Sequence, residues 1–310
     1  MTTTDLPRAD GDAGARRAGA FMGIAACADV STTSLGEDSA KVDLKLSFRH
    51  AFRPGKLITL HAQIKSGRSY RLRSSTAKEI ALGIDKPTLD ALRGSGEPGL
   101  IVWVPPAPLD RLYWHATDPR RPIKATTKIS RTQYVRPSIR YDLTRLIEYA
   151  GWNTSISRQT VGVLPTAGLM SKAKAAYTTL RATSWVHPLV GTLKVSRLAW
   201  RHVTKNSRGA TDRVLRLRAV PYLKNFLAKH PERYVCNPGT IEVFGSETRE
   251  TRYILCWYRG ALVIDGQPHS LLLRIKEEIK YPTDWASRTL ATRDITQSAT
   301  LASWWCKKEK

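Results

Sequence analysis

The sequence predicts an α/β protein, with a mixed central sheet flanked by helices in its N-terminal half and a smaller α+β domain after it. Apolar residues alternate with charged ones over 42–48, which is the period of a half-buried strand. Residues 99–104 form a continuous apolar run, which is typical of a central strand covered on both faces. With 310 residues, the chain is long enough for two such domains.

The first half is predicted to alternate between helices and strands. In chain order the predicted elements are a helix over 14–28, strands over 30–35, 42–48, 57–65 and 70–73, a helix over 85–94, strands over 99–104 and 109–117, and a helix over 140–150. The second helix has clear start signals, because Asp85 can cap its N-terminus and Pro87 suits its first turn.

The pattern of predicted elements changes after residue 150, where basic helices are followed by a run of strands. We predict a disordered N-terminus over 1–12, a first domain over 13–150, a linker over 151–169 and a basic helical and β-hairpin domain over 170–310. In the second domain the predicted elements are helices over 171–183, 193–203 and 212–229, followed by strands over 240–244, 252–258, 261–264 and 269–275. Asp265-Gly266 is a hairpin-turn signal, and residues 304–310 are predicted to be a frayed end.

The charge balance points to a polyanionic partner. Fifty Lys and Arg residues oppose 26 Asp and Glu residues, so the formal net charge is +24. Nucleic acid and anionic membranes are the two candidate partners. No apolar run approaches the roughly 20 residues that span a bilayer, and no signal peptide is recognisable. We therefore expect a cytoplasmic protein that binds nucleic acid and no membrane.

Several enzyme classes lack sequence support. The chain contains no nucleophile elbow, P-loop or dinucleotide-binding fingerprint, and its four cysteines do not have zinc-site spacing. These absences argue against a serine hydrolase, a nucleotide-driven motor and a structural zinc protein.

Asp43, Gln63 and Lys65 form the candidate catalytic site. They lie on two consecutive predicted strands, and residues 63 and 65 share one face because side chains repeat every second residue. Asp43 and the Gln63 amide oxygen could hold Mg²⁺ or Mn²⁺, while Lys65 could act on the attacking water or on the developing phosphate charge. Glu37 and Asp38 are candidates for a second metal ligand.

Four segments of the N-terminal half resemble the PD-(D/E)XK nuclease superfamily, and most closely its restriction-like and Mrr-like bacterial branch. They are Lys41-Val42-Asp43, Gln63-Ile64-Lys65-Ser66-Gly67, Leu100-Ile101-Val102-Trp103-Val104 and Tyr113-Trp114. The resemblance covers about residues 12–150. It implies a restriction-endonuclease-like fold and a metal-dependent nuclease.

The resemblance also implies roles for individual residues. Asp43, Gln63 and Lys65 would stand in the active site. Many members of the superfamily carry a glutamate on the first helix, but the predicted helix over 14–28 holds no acidic residue. Glu37 is the candidate to replace it.

Basic residues in both halves are candidates for phosphate contacts, because lysine and arginine neutralise phosphates. They are Arg68, Arg71, Arg73, Arg197, Arg201, Lys205, Arg208, Arg213 and Arg216.

The leading hypothesis is an endonuclease that hydrolyses phosphodiester bonds, with DNA favoured over RNA. A homodimer, or a partner protein bound through the second domain, would suit duplex cleavage, and a role in genome defence or in a mobile element follows from the resemblance.

One alternative is a catalytically inactive nuclease-like domain that binds nucleic acid or scaffolds an assembly. Another is a protein of anionic lipid surfaces. If the three candidate residues form no active site, Asp43 would pair with Lys41 or Lys45, and Lys65 would be a solvated lysine at a sheet edge.

Overall fold

The computed structural model describes residues 6–32, 43–94, 96–106, 111–118, 124–151, 161–163, 167–205 and 210–309. It shows a mixed α/β chain, as predicted. The chain divides into two compact units, the first comprising Met1–Gly151 with Tyr281–Ile295 and the second Trp152–Lys280 with Thr296–Lys310. The first unit therefore includes a segment from late in the chain that the sequence reading had assigned to the second domain.

The first unit is built around one mixed sheet. In chain order its elements are α1 (Leu6–Ala26), β1 (Asp29–Thr32), β2 (Leu44–Arg49), β3 (Leu57–Ser66), β4 (Glu79–Gly83), α2 (Lys86–Gly94), β5 (Gly99–Val104), β6 (Tyr113–Thr117), β7 (Thr126–Ser130) and α3 (Ile139–Ala150). The main sheet has the order β1-β2-β3-β5-β6, and β4 pairs with β7 in a separate two-stranded sheet. β3 and β5 are parallel, and the other neighbours in the main sheet are antiparallel.

One face of the main sheet is covered by helices, and the other face is covered around β5, whereas Lys45, Thr59 and His61 on that second face are exposed. Even-numbered residues of β3 and β5, such as Leu60 and Val102, pack with residues of α1 and α3. Ile101 and Trp103 of β5 point to the other face, where they pack with residues of α2, β4 and β7. Every residue of β5 is buried, so the prediction of a central strand covered on both sides is confirmed.

The first helix is longer than the sequence suggested. α1 begins at Leu6, so part of the segment predicted to be disordered is helical, whereas residues 1–5 lie outside the described part of the chain. A proline at position 7 is compatible with this start, because the first turn of a helix does not need that backbone N–H. The strand predicted over 70–73 is reduced to a single bridge between Arg71 and Leu82.

Gly14 allows α1 to approach the end of β3 closely. A Cβ atom at Gly14 would lie 2.6 Å from the Cβ atom of Ser66. We expect Gly14→Ala to lower the free energy of unfolding by about 1–3 kcal/mol, because the helix and strand must move apart. Gly94→Ala is the matched control, since nothing lies within 4 Å of its added Cβ. Urea unfolding checks both variants, and an unchanged Gly14→Ala protein would contradict the close approach.

The second unit is built around a larger sheet. In chain order its elements are β8 (Val161–Val163), α4 (Leu169–Ala182), β9 (Trp185–His187), β10 (Gly191–Val195), α5 (Arg197–Thr204), α6 (Ala210–Ala219), α7 (Lys224–Leu227), β11 (Arg233–Asn237), β12 (Ile241–Phe244), β13 (Glu247–Ile264), β14 (Gln267–Pro282) and β15 (Thr296–Lys308). The sheet order is β11-β13-β14-β15-β10-β9, and β8 and β12 also pair with β13.

The long hairpin of β13 and β14 turns at Asp265-Gly266, as predicted. Both residues have a positive φ, 51° at Asp265 and 74° at Gly266, which is the backbone of the hairpin turn that this dipeptide favours. One face of the sheet packs against α4, α5 and α6 around a core that includes Trp304.

Several predictions for the second half differ from the structure. The helix predicted over 212–229 is divided into α6 and α7, and the strands predicted over 252–258 and 261–264 form the single strand β13. The helix predicted over 193–203 is β10 followed by α5, because Leu193 and Val195 are buried at strand spacing beside β15. The predicted frayed end belongs to β15, which pairs with β14 along its length. Much of the predicted linker lies outside the described residues, but its segment Val161–Val163 is a strand.

Candidate active site

Asp43 and Gln63 meet where β2 and β3 pair. Asp43 directly precedes β2, and its backbone N–H donates to the carbonyl of Ala62 at 3.1 Å. The Gln63 amide and the backbone N–H of Ile64 both donate to the Oδ2 atom of Asp43. The carboxylate is therefore fixed in place against one point of β3.

Lys65 follows on the same face of β3. Gln63 and Lys65 pair with Ile101 and Trp103 of β5, whose side chains mark the face that α2, β4 and β7 cover. The structure therefore joins Asp43 to Gln63 and places Lys65 on the same face of β3, with the Lys65 ammonium group directed to Asp85 and Thr88.

The carbonyl oxygen of the Gln63 side chain is a buried acceptor. Gln63 is 6% exposed, and its Oε1 atom has no hydrogen-bond partner among the described residues. Burying such an oxygen without a partner costs about 1–3 kcal/mol. A cation bound at this oxygen would satisfy it, and a cation held by both Gln63 and Asp43 requires the amide to turn over, because its NH₂ group now faces Asp43.

Lys65 is buried, with its ammonium group held by three neighbours. The residue is 4% exposed, so it is not a solvated lysine at a sheet edge. Its Nζ atom donates to Asp85 Oδ2 at 2.8 Å and to Thr88 Oγ1 at 3.1 Å. It also lies 5.0 Å from the ring centroid of Tyr70. These contacts offset the cost of removing the charge from water.

Asp85 links Lys65 to the start of α2. Its Oδ1 atom accepts the backbone N–H of Thr88 at 2.8 Å, which is the N-cap interaction predicted from the sequence. Partial burial by itself raises the pKa of Asp85, but the hydrogen bonds from Lys65 and Thr88 outweigh it and hold the pKa well below its usual range. The carboxylate therefore stays ionised beside Lys65 even in mild acid.

We expect Asp85→Ser to lower the free energy of unfolding at pH 7 by about 1–2 kcal/mol, because serine keeps the cap but leaves Lys65 without its counter-ion. The expected loss of stability is smaller than for a fully buried ion pair, because the Asp85 side chain is 46% exposed and water screens its charge. The folded-state pKa is depressed, so the stabilisation is complete above the unfolded-state pKa of about 3.9 and is lost as the pH falls through the folded-state value. Urea unfolding should show a constant difference from wild type between about pH 5 and 7, narrowing below about pH 4. A difference that grows in acid would contradict the ion pair.

Asp85, Thr88 and Tyr70 were not predicted as part of the site. The sequence did signal Asp85, but only as a helix cap. Its second role depends on the crossover from β3 through α2 to β5, which brings the start of α2 to Lys65.

His115 occupies the same sheet face two strands away from Gln63. Ile101 of β5 pairs with both Gln63 and His115, so the three residues form one row across the sheet. Burial lowers the pKa of His115, which keeps its imidazole neutral at neutral pH. Its chemistry there is that of a neutral hydrogen-bonding group.

The oxygen ligands near β3 suit a hard divalent cation. Asp43 offers a carboxylate and Gln63 an amide oxygen, the ligand types that Mg²⁺ and Mn²⁺ prefer. Among the described residues, no group of three or more His, Cys, Asp and Glu side chains could hold a metal. Glu37 and Asp38 lie outside the described residues.

The longer α1 brings acidic positions into the first helix. Its opening turns include Asp10 and Asp12, which sequence analysis had left in a disordered segment. Because Gly14 packs against Ser66, the backbone places this end of α1 beside the C-terminal end of β3.

The basic residues predicted to bind nucleic acid fall into exposed and buried groups. Arg68, Arg71 and Arg73 are all exposed in the segment that follows β3. In the second unit, Arg197 and Arg201 are exposed on α5, Lys205 is exposed directly after it, and Arg213 is half-buried on α6. Arg208 lies outside the described residues.

Arg216 differs from this expectation. It is 4% exposed and binds Asp212 one helical turn earlier, so it does not stand on an open surface. The Asp212 carboxylate neutralises its charge at the surface of α6.

No protein-family model, curated protein or solved structure matches this chain. In the described part of the chain, no helix combines the length and the apolar character needed to cross a membrane. The chemistry of the site is therefore the basis for assigning a function.

Proposed function

We propose that the chain is a metal-dependent nuclease with its active site at Asp43, Gln63 and Lys65. The supporting observation is the convergence of an anchored carboxylate, a buried amide oxygen without a partner and a buried lysine on one face of β3. A mixed central sheet flanked by helices, as seen in the first unit, is also what the PD-(D/E)XK resemblance implies. We propose the restriction-endonuclease-like fold on this basis.

Each residue has a distinct role in this proposal. Asp43 and Gln63 hold Mg²⁺ or Mn²⁺, with Glu37 and Asp38 as the candidates for the second carboxylate. When bound, the ion supplies charge stabilisation at phosphate and a more acidic water. Lys65 places a fixed positive charge where negative charge develops on the phosphate. Asp85 is a positioning residue, because it acts by orienting Lys65.

The substrate follows from charge and exposure. The net charge of +24 and the exposed arginines after β3 favour nucleic acid, with binding that weakens steeply as salt increases. DNA is the favoured substrate and RNA the alternative. A cytoplasmic location, a homodimer or partner complex acting on duplex, and a role in genome defence or in a mobile element belong to the same proposal.

The second candidate function is a catalytically inactive nuclease-like domain that binds nucleic acid or scaffolds an assembly. The observation that favours it is the engagement of Lys65 by Asp85, Thr88 and Tyr70, since an ammonium group already bound to a carboxylate could be purely structural.

Incubation with plasmid and with single-stranded DNA and RNA separates the two candidates. Mg²⁺, Mn²⁺ and EDTA are compared, and binding is followed in parallel at several salt concentrations. The nuclease proposal expects metal-dependent cleavage that EDTA stops. Tight binding without cleavage under all conditions would favour the inactive domain, and binding to anionic vesicles that DNA does not relieve would favour a lipid-surface protein.

A further inference from the structure

A cavity of about 250 Å³ lies within the second unit and is rich in basic side chains. Its lining includes Lys205, Arg216, Tyr253, Arg274, Lys276 and Ser303. These residues come from α6, β13, β14, β15 and the residue that follows α5, so only the folded unit brings them together.

Two of these cations are neutralised by nearby acids. Arg216 binds Asp212, and the Nζ atom of Lys276 lies 3.6 Å from a carboxylate oxygen of Glu278. In the part of the chain that the structure describes, no carboxylate lies within salt-bridge distance of Lys205 or Arg274. The cavity therefore retains about two uncompensated positive charges, and an anion would balance them.

Arg274 is already oriented to receive a ligand. Its guanidinium carbon lies 3.8 Å from the ring centroid of Tyr253, so the planar group stacks on the aromatic face. A stacked guanidinium has lost much of its freedom before binding, and its fork of N–H donors matches two oxygens of one phosphate. The Ser303 hydroxyl supplies a neutral donor in the same cavity.

The size and charge of the cavity favour a phosphomonoester over a phosphodiester. A volume of about 250 Å³ is below the range of sites for drug-sized ligands, so it admits a phosphate with little more than its attached sugar. A phosphodiester carries one negative charge, whereas a phosphomonoester carries about two at neutral pH. The monoester thus matches the two uncompensated cations better than an internal backbone phosphate does.

We propose that this cavity binds the terminal phosphomonoester of a nucleic-acid strand. The choice of a strand end over a small phosphate rests on the proposed function, because hydrolysis of a phosphodiester leaves a phosphomonoester on one of the two new ends. The site would then hold a strand by an end of the kind that the cleavage reaction creates.

The test compares short single-stranded oligonucleotides that differ only at their ends. Fluorescence anisotropy in EDTA measures the binding of 5′-phosphorylated, 3′-phosphorylated and unphosphorylated forms of one labelled sequence. We expect at least one phosphorylated form to bind about tenfold more tightly than the unphosphorylated form, as two charge-assisted hydrogen bonds would produce. Arg274→Gln and Lys205→Gln should each remove most of this preference.

Arg233→Gln is the matched control. Arg233 also lies over an aromatic ring, that of Trp257, at 5.5 Å, but it does not line the cavity. It loses the same charge as Arg274→Gln, so it should weaken all the oligonucleotides equally and keep the end preference. Thermal unfolding checks that every variant is folded.

Three results would overturn the proposal. One is equal binding of phosphorylated and unphosphorylated ends by the wild-type protein. Another is an end preference that persists in folded Arg274→Gln and Lys205→Gln proteins. The third is displacement of the phosphorylated oligonucleotide by inorganic phosphate or a nucleoside monophosphate at equally low concentration, which would assign the cavity to a small phosphate.

Failure here and failure of the nuclease proposal are distinguishable. Binding is measured in EDTA and does not depend on cleavage. A lost end preference with intact metal-dependent cleavage would remove only this inference, whereas a retained preference without cleavage would remove only the nuclease.

Discussion

If the proposed active site is correct, Lys65→Ala is expected to lower the rate of metal-dependent cleavage by about a thousandfold, because it removes the fixed positive charge that the proposal places at the phosphate. The lysine is buried on the same face of β3 as Gln63, and its ammonium group is held by Asp85 and Thr88. Single-turnover cleavage of a supercoiled plasmid measures the effect.

Two controls separate catalysis from folding. Lys45→Ala removes an exposed lysine from the neighbouring strand β2 and should leave cleavage within about twofold of wild type, as expected for a solvated surface charge. Anisotropy in EDTA should show that Lys65→Ala still binds DNA. A folded Lys65→Ala protein that cleaves at the wild-type rate would exclude Lys65 from the reaction.

Asp43→Asn is expected to lower the rate of cleavage by about a thousandfold or more, because it removes the one described carboxylate that contacts Gln63. It should also abolish any rise in melting temperature that Mn²⁺ causes in the wild-type protein, since a bound ligand stabilises the folded state. Asparagine can still accept the backbone N–H of Ile64, so the fold should survive.

Asp90→Asn is the matched control for this change. Asp90 is an exposed acid on α2, and its replacement should alter neither cleavage nor the response to Mn²⁺. Retention of the Mn²⁺ response by Asp43→Asn would place the metal elsewhere and contradict the assignment.

The sequence allowed the first unit to be predicted where local patterns decide the structure. β5 was recognisable because both of its faces are buried, and the cap of α2 was recognisable because Asp85 and Pro87 are start signals. The shared face of Gln63 and Lys65 followed from strand periodicity alone. These features depend on neighbours in the sequence and little on the rest of the fold.

Other features depend on contacts between distant segments. The pairing of Lys65 with Asp85 spans the crossover to α2, and no local pattern reports it. The last residues, with three lysines and a glutamate after Trp305, were predicted to be a frayed end, yet residues 304–308 belong to β15 and pair with β14.

The basic cavity of the second unit illustrates the same limit. Lys205 and Arg216 were visible as part of a charged stretch, but Arg274, Lys276 and Tyr253 come from strands much later in the chain. The cluster of basic residues in the sequence indicated an anionic partner there but did not indicate a cavity that later strands complete.

The most direct test of the active-site assignment is a plasmid-nicking assay of the wild-type protein and the Asp43→Asn and Lys65→Ala variants with Mn²⁺ and with EDTA. Nicking by wild type that requires the metal and is lost in both folded variants is the expected result. Metal-dependent nicking that persists in both variants would show that β2 and β3 do not form the active site.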